Sequence, residues 1–251
     1  MFARFIPIII SLTTFIAWEF LILKPQSFFY SLAVVAAACV LVLHFNSYQI
    51  FDKNFLLLII PVVCLEIFTT LYFIFLNNIY LQHGIAVLAA TGLFYYYTYL
   101  YYFLRRITSY KPLTLESASS YSSVVSYLFF STIIFGLMIF LNMRSWYLAL
   151  IVIIVTFFSA YQFFWINKIE QRLCFFASIV VSVVMVEFFW SITFFSVTHF
   201  ISGLSLAIIY YIILNLTLLY LLERLDKKVL QTYLSIGLSC VAIILLSAKW
   251  L

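Results

Sequence analysis

The sequence predicts an all-α protein, a polytopic helical bundle in a membrane, with residues 1–251 forming a single transmembrane domain and no soluble domain. Three observations predict it. Of the 251 residues, 67% are hydrophobic and 8% are charged, where a soluble domain carries roughly 45–50% and about a quarter. The apolar residues fall in continuous runs, not in the period-2 alternation that a barrel strand needs. The longest stretch compatible with water, Arg105–Ser120, is too short to bury a core. The same composition excludes a disordered chain, a collagen-like repeat and a disulfide scaffold.

A helix needs about 20 apolar residues to cross hydrocarbon, and polar punctuation divides the chain into about nine such runs. The first, Phe5–Leu23, follows a single arginine and superficially resembles a secretory leader. Its length, and the lack of a small-x-small site after it, favour a retained span. The link Lys24–Gln26 is short enough for a tight turn into the second run, Ser27–Phe45. The third, Phe55–Leu76, contains Pro61, which frees backbone carbonyls in the preceding turn. Asn77–Asn78 is a second candidate for a tight helical connection. The fourth run, Ile79–Leu104, ends in Tyr95, Tyr96, Tyr97, Tyr99, Tyr101 and Tyr102, apolar rings with polar tips suited to a membrane interface. The fifth to ninth are Tyr121–Leu141, Trp146–Ile166, Cys174–Phe195, Leu204–Leu222 and Leu230–Ser247. Gln162 in the sixth and Asn215 in the eighth are amides of the kind that hydrogen-bond between helices.

Lysine and arginine set the expected orientation. With the N-terminus inside, the inner segments hold Arg4, Lys53, Arg105, Arg106, Lys111, Lys168, Arg172, Arg224, Lys227 and Lys228, and the outer ones hold Lys24, Arg144 and Lys249. Ten against three is a strong bias, and it depends on the alternation of nine spans. Four helical hairpins closed on the outside, then a lone ninth helix, follow from it, with the N-terminus in and the C-terminus out. The inner ends FYYYTYLYYFLRRI, FFSAYQFFWINKI and YYIILNLTLLYLLERL are alike, which belt composition explains without a duplication. The bias and the short outer links fit a plasma membrane, specifically a bacterial inner membrane. The expected partner is the bilayer, with a membrane protein as a second. Nucleic acid is not expected, because the basic residues are scattered over many links.

Three carboxyls lie inside the runs: Glu19, Glu66 and Glu187. Glu66 is at the centre of its run, Glu187 about 4 Å and Glu19 about 7–8 Å further out. An ionisable group at bilayer depth costs roughly 2.5–3.5 kcal/mol and normally faces the bundle interior. No lysine or arginine falls at that depth, so burial favours the neutral acid. Thr69 and Thr70, three and four residues on, share the face of Glu66, and Ser191 shares that of Glu187. Glu19, Glu66, Glu187, Thr69, Thr70 and Ser191 are therefore the expected substrate- or ion-binding set. Arg105 and Arg106 are a secondary candidate for an anionic lipid headgroup.

No cofactor and no metal centre are expected. His44, His83 and His199 form no facing pair for haem, and Cys39, Cys64, Cys174 and Cys240 show no CxxC spacing. A site from His83, His199 and Glu19 on the outer face is geometrically allowed, although interfacial histidine is more often solvated. HExxH, Walker A and GxGxxG runs are missing. Gly237–Leu238–Ser239–Cys240 lacks a histidine at matching depth, so it does not make an intramembrane protease. A carrier or channel-type protein for a small solute, ion or lipid is the leading function class. A non-catalytic membrane subunit docked to a partner protein comes second. A lipid-acting enzyme using Arg105, Arg106, Lys111 and Glu116 comes third, on a thin set of groups for acid–base work.

Overall fold

A computed structural model describes residues 5–45, 55–105 and 113–247. Among the described residues the chain forms nine α-helices: α1 (Ile6–Leu23), α2 (Phe28–Phe45), α3 (Phe55–Tyr72), α4 (Ile79–Arg105), α5 (Thr114–Phe140), α6 (Ser145–Ile166), α7 (Gln171–Ile192), α8 (His199–Leu221) and α9 (Lys227–Ser247). Seven of them, α1, α3 and α5 to α9, are long and apolar enough to cross a membrane, and the chain is a membrane-embedded helical protein. In α4 the tyrosine run dilutes the hydropathy. The topogenic residues Arg4, Lys53, Arg106, Lys111 and Lys249 lie outside the described residues, as do the side chains of Cys39, His44 and Arg105.

The chain divides into two compact units, Met1–Ser126 and Tyr127–Leu251, with the boundary inside α5. In the first unit α1 packs on α2 and α4, and α3 packs on α2 and α4. Trp18, Val35, Val62, Ala86 and Leu93 are fully enclosed there. In the second, α7 packs between α6 and α8, and α9 packs on α8, over a core that includes Phe135, Leu148, Phe164, Met185, Phe189 and Leu206.

Short polar links end the helices by named bonds. Ser27 Oγ donates to the Lys24 carbonyl at 2.7 Å, closing the 3₁₀ turn Pro25–Ser27 between α1 and α2. After α3 a 3₁₀ turn, Phe73–Phe75, runs to the α4 start. There Asn78 Oδ1 accepts from the amides of Tyr80 (3.0 Å) and Leu81 (3.4 Å), the N-cap bond a helix start requires. Gln82 Nε2 donates back to the carbonyls of Phe73 (3.2 Å) and Leu76 (2.7 Å).

Helix α5 starts at Thr114, seven residues before the predicted start of the fifth run. The reason is a buried face of mostly small residues: Leu115 is followed at helical spacing by Ser119, Ser123 and Ser126, and all are buried. Part of the stretch that looks aqueous in sequence is thus packed helix. Likewise α8 starts at His199 instead of Leu204, after Thr198 in extended backbone.

Helices α6 and α8 end in Schellman turns, in which the amide two past the C-cap reaches back five residues: Ile169 N to Phe164 O at 3.3 Å, and Arg224 N to Leu219 O at 2.9 Å. The left-handed residues are Lys168 (φ 64°) and Glu223 (φ 56°), where glycine is the unstrained choice. Glu223→Gly should therefore stabilise the protein by about 1 kcal/mol, read as a rise in thermal unfolding midpoint in detergent.

Candidate functional site

Pro61 lies inside α3, and the turn before it is where a side chain can reach the backbone. Tyr96 Oη of α4 donates to the Leu58 carbonyl in that turn at 2.5 Å, and the same hydroxyl meets the side chain of Ser119 of α5. Five residues beyond the proline stands Glu66, with 0% of its surface exposed. The neighbouring tyrosine of α4, Tyr97, donates its hydroxyl to Glu66 Oε1 at 2.9 Å. Consecutive tyrosines thus serve α3 at two levels, one on its backbone and one on its buried acid.

The third helix of the site is α1. Trp18, fully buried, donates its indole N–H to Thr70 Oγ1 at 2.9 Å. Thr70 Oγ1 in turn donates to the Glu66 carbonyl at 2.8 Å, so one hydroxyl both accepts across the helices and donates along its own. Thr69 Oγ1 donates to the Leu65 carbonyl at 2.6 Å. Both threonines are buried one turn from Glu66. Their protons, however, go to the α3 backbone four residues back, the usual resort of a helical threonine. The buried polar core of the first unit therefore includes Trp18, Glu66, Thr70, Tyr96, Tyr97 and Ser119.

Glu19 lies one residue on from Trp18, on a different face of α1. It pairs with His83 of α4, Nδ1 lying 2.8 Å from Oε2 and 3.0 Å from Oε1. Both side chains are partly exposed. His199 is in the second unit, between the rings of Phe140 (5.1 Å) and Phe200 (4.0 Å). Among the described residues no cluster of three or more His, Cys, Asp or Glu is placed to hold a metal ion. A cleft of about 630 Å³ opens between α1 and α2 beside Phe20, Lys24, Tyr30 and Ser31, and Glu66 does not line it.

Glu187 stands apart from this pattern. It is exposed on α7, and among the described residues its carboxyl has no hydrogen-bond partner. Ser191 Oγ donates to the Glu187 carbonyl at 2.8 Å, not to its carboxyl. Of the proposed lipid-headgroup and lipid-chemistry residues, Glu116 is in the first turn of α5, while Arg106, Lys111 and the Arg105 side chain lie outside the described residues.

Sequence reasoning placed Glu66, Thr69 and Thr70 together and left out Tyr96, Tyr97, Trp18 and Ser119. The available signal was a helical one. Within the tyrosine run, Tyr96 and Tyr97 continue the buried row of Ala86, Ala89 and Leu93, whereas Tyr95 is exposed.

Fold and site together define a class, a helical membrane protein that keeps an enclosed carboxyl tied between helices. No family model matches the chain, and no curated protein or solved structure matches it.

Proposed function

We propose that the chain is a carrier or channel-type protein for a small solute, ion or lipid, in which Glu66 is the buried group that binds the cargo or a coupled proton. The observation that carries this reading is the fully enclosed Glu66 carboxyl, held by Tyr97 from another helix. Keeping an acid in hydrocarbon is costly, and such acids serve ion and proton pathways. Pro61 and the Tyr96 bond place a weakened backbone turn beside it, a means of opening the site. Enclosure on all sides corresponds to an occluded state, from which a carrier must open.

The topology that accompanies this reading has nine spans, four hairpins closed outside and a ninth helix, with the N-terminus inside and the C-terminus outside. The membrane is a plasma membrane of the bacterial inner-membrane kind. The ten-to-three basic bias supports it. In this topology the half-exposed Glu19–His83 pair lies near the outer mouth, where it meets a cation or proton before Glu66 does.

The test is flux in proteoliposomes with the dye pyranine trapped inside and sodium or potassium gradients imposed in turn. Wild-type protein is expected to move protons or the imposed cation, and Glu66→Gln to lower that flux at least tenfold while eluting normally in detergent. Equal flux in the two proteins removes Glu66 from any mechanism.

A second reading, a non-catalytic membrane subunit, has its own support: the exposed Glu187 on α7, and an α9 span of which only 6% is buried. A stoichiometric partner that co-purifies favours this reading, and a protein that functions alone in vesicles counts against it.

A further inference from the structure

The cleft of about 630 Å³ in the α1–α2 hairpin falls within the roughly 300–1,000 Å³ of small-molecule sites. Small residues make the room: Ala17, Ser27 and Ser31 line it and are buried, while the rings of Phe20 and Tyr30 beside them are exposed. The cleft is graded in polarity. Its mouth, at the turn between the helices, carries Lys24 and Gln26, both exposed. Its far end is Ala17 and Val34, each seven residues from that turn, about 10 Å along its helix. Lys24 is held at the mouth. Its carbonyl accepts from Ser27 N at 2.9 Å and from Ser27 Oγ at 2.7 Å, and its Nζ lies 5.8 Å from the centre of the Phe20 ring. A ring attracts the ammonium without cancelling its charge. Among the described residues no carboxyl lines the cleft, and Lys24 forms no ion pair. We infer that the cleft binds one anionic phospholipid of the surrounding bilayer, with the phosphate on Lys24 and an acyl chain along Ala17 and Val34.

Charge and shape together select the occupant. Ser27 and Ser31 give their protons to the carbonyls of Lys24 and Phe28. The Lys24 ammonium, the Gln26 amide and the Tyr30 hydroxyl donate to nothing among the described residues, so three donors at one mouth await an acceptor. A phosphate diester supplies several acceptor oxygens, and it is ionised at every physiological pH. A soluble anion would fill the mouth and leave the apolar end without contact. A lipid with no net charge would leave the lysine unmatched. An anionic phospholipid answers both ends, because α1 is long and apolar enough to cross a membrane, which puts the hairpin turn at headgroup level and the far end among acyl chains. Lysine is drawn to anionic lipid at that level, and a tyrosine there keeps its ring in hydrocarbon and its hydroxyl among headgroups. Glu66 does not line the cleft, so the inference is independent of whether that acid handles cargo, and the Glu66→Gln protein should retain the lipid as the wild type does.

Native mass spectrometry of the full chain, titrated with phosphatidylglycerol or with phosphatidylcholine of the same acyl chains, tests it. The wild type should retain one phosphatidylglycerol about fivefold more tightly than phosphatidylcholine. Lys24→Gln should erase that preference by weakening phosphatidylglycerol alone, and Lys24→Arg should restore it. Arg144→Gln, which removes an exposed charge just before α6, should change nothing. Val34 is exposed, so Val34→Trp fills the apolar end without entering the core, and it should weaken both lipids alike. Equal retention of the two lipids by wild type, equal losses in Lys24→Gln and Arg144→Gln, unchanged binding by Val34→Trp, or displacement of the lipid by equimolar palmitate or inorganic phosphate each overturns the inference.

Discussion

Glu66→Ala should destabilise the first unit by about 2–5 kcal/mol, the cost of a cavity plus a lost buried hydrogen bond. The carboxyl is fully enclosed, so water cannot take its place, and the Tyr97 hydroxyl loses the acceptor it holds at 2.9 Å. Glu66→Gln keeps both the volume and a carbonyl oxygen for Tyr97, so its loss should stay below about 1 kcal/mol. Tyr97→Phe removes the donor and leaves a carboxyl that is still buried, at about 1–2 kcal/mol. Reversible unfolding of each variant in mixed micelles, arranged as a double-mutant cycle, should return a coupling of about 0.6–2 kcal/mol between Glu66 and Tyr97. A coupling of zero would mean that the hydroxyl and the acid do not share a bond. The Gln variant matters most for function, because a protein that folds normally and loses flux separates a role in transport from a role in holding helices together.

The acid and its own helix were legible in the sequence; its partners were not. A charged residue inside an apolar run is visible from composition and depth alone, and Thr69 and Thr70 follow from helical spacing. The partner on α4 depends on how far that helix slides along α3. Reflecting the chain about Asn77–Asn78 places Glu66 opposite residue 89, about 12 Å along the helix from Tyr97 at 1.5 Å per residue. Side chains lean towards the start of their own helix, so on helices of opposite direction Glu66 and Tyr97 lean towards one another, and a long phenol spans what remains. That offset depends on helix tilt and on the 3₁₀ turn Phe73–Phe75, neither of which hydropathy encodes. Trp18 was hidden for a different reason. Tryptophan near a helix end reads as an interface anchor, and its burial against Thr70 is a fact of packing alone. Glu187 reads in sequence as the twin of Glu66, since hydropathy gives depth but not azimuth. The surrounding residues distinguish them: Glu66 shares its face with threonines that are buried, while the α7 positions in register with Glu187 are exposed. The boundary of α5 was obscured because Ser119, Ser123 and Ser126 count as polar on a hydropathy scale and as small in a helix contact.

Gly203→Leu should abolish folding of the second unit, and even Gly203→Ala should cost about 1–3 kcal/mol, as overpacking of a tight core does. A Cβ built on Gly203 falls 2.6 Å from Thr132 Cα and 2.7 Å from Thr132 N. These are backbone atoms of α5, which no rotamer change can move aside, so α5 and α8 have to separate. Close approach through small residues is how membrane helices gain van der Waals contact where lipid removes the hydrophobic drive. Separation also breaks the bond from Ser131 Oγ to the Gly203 carbonyl, 2.8 Å long. It loosens the stack of Tyr127 on Tyr210 two turns further along, where the rings lie 3.7 Å apart and 13° from parallel, and with it the 2.9 Å bond between Tyr127 Oη and Thr156 Oγ1. Gly92 of α4 is the internal control: nothing lies within 4 Å of a Cβ built there, so Gly92→Ala should be neutral or stabilising by up to about 1 kcal/mol. Fluorescence-detected gel filtration over a temperature series would measure both variants. Equal midpoints for Gly203→Ala and Gly92→Ala would show that α5 and α8 do not touch at this residue, and the close packing of Thr132 on Gly203 would have to be abandoned.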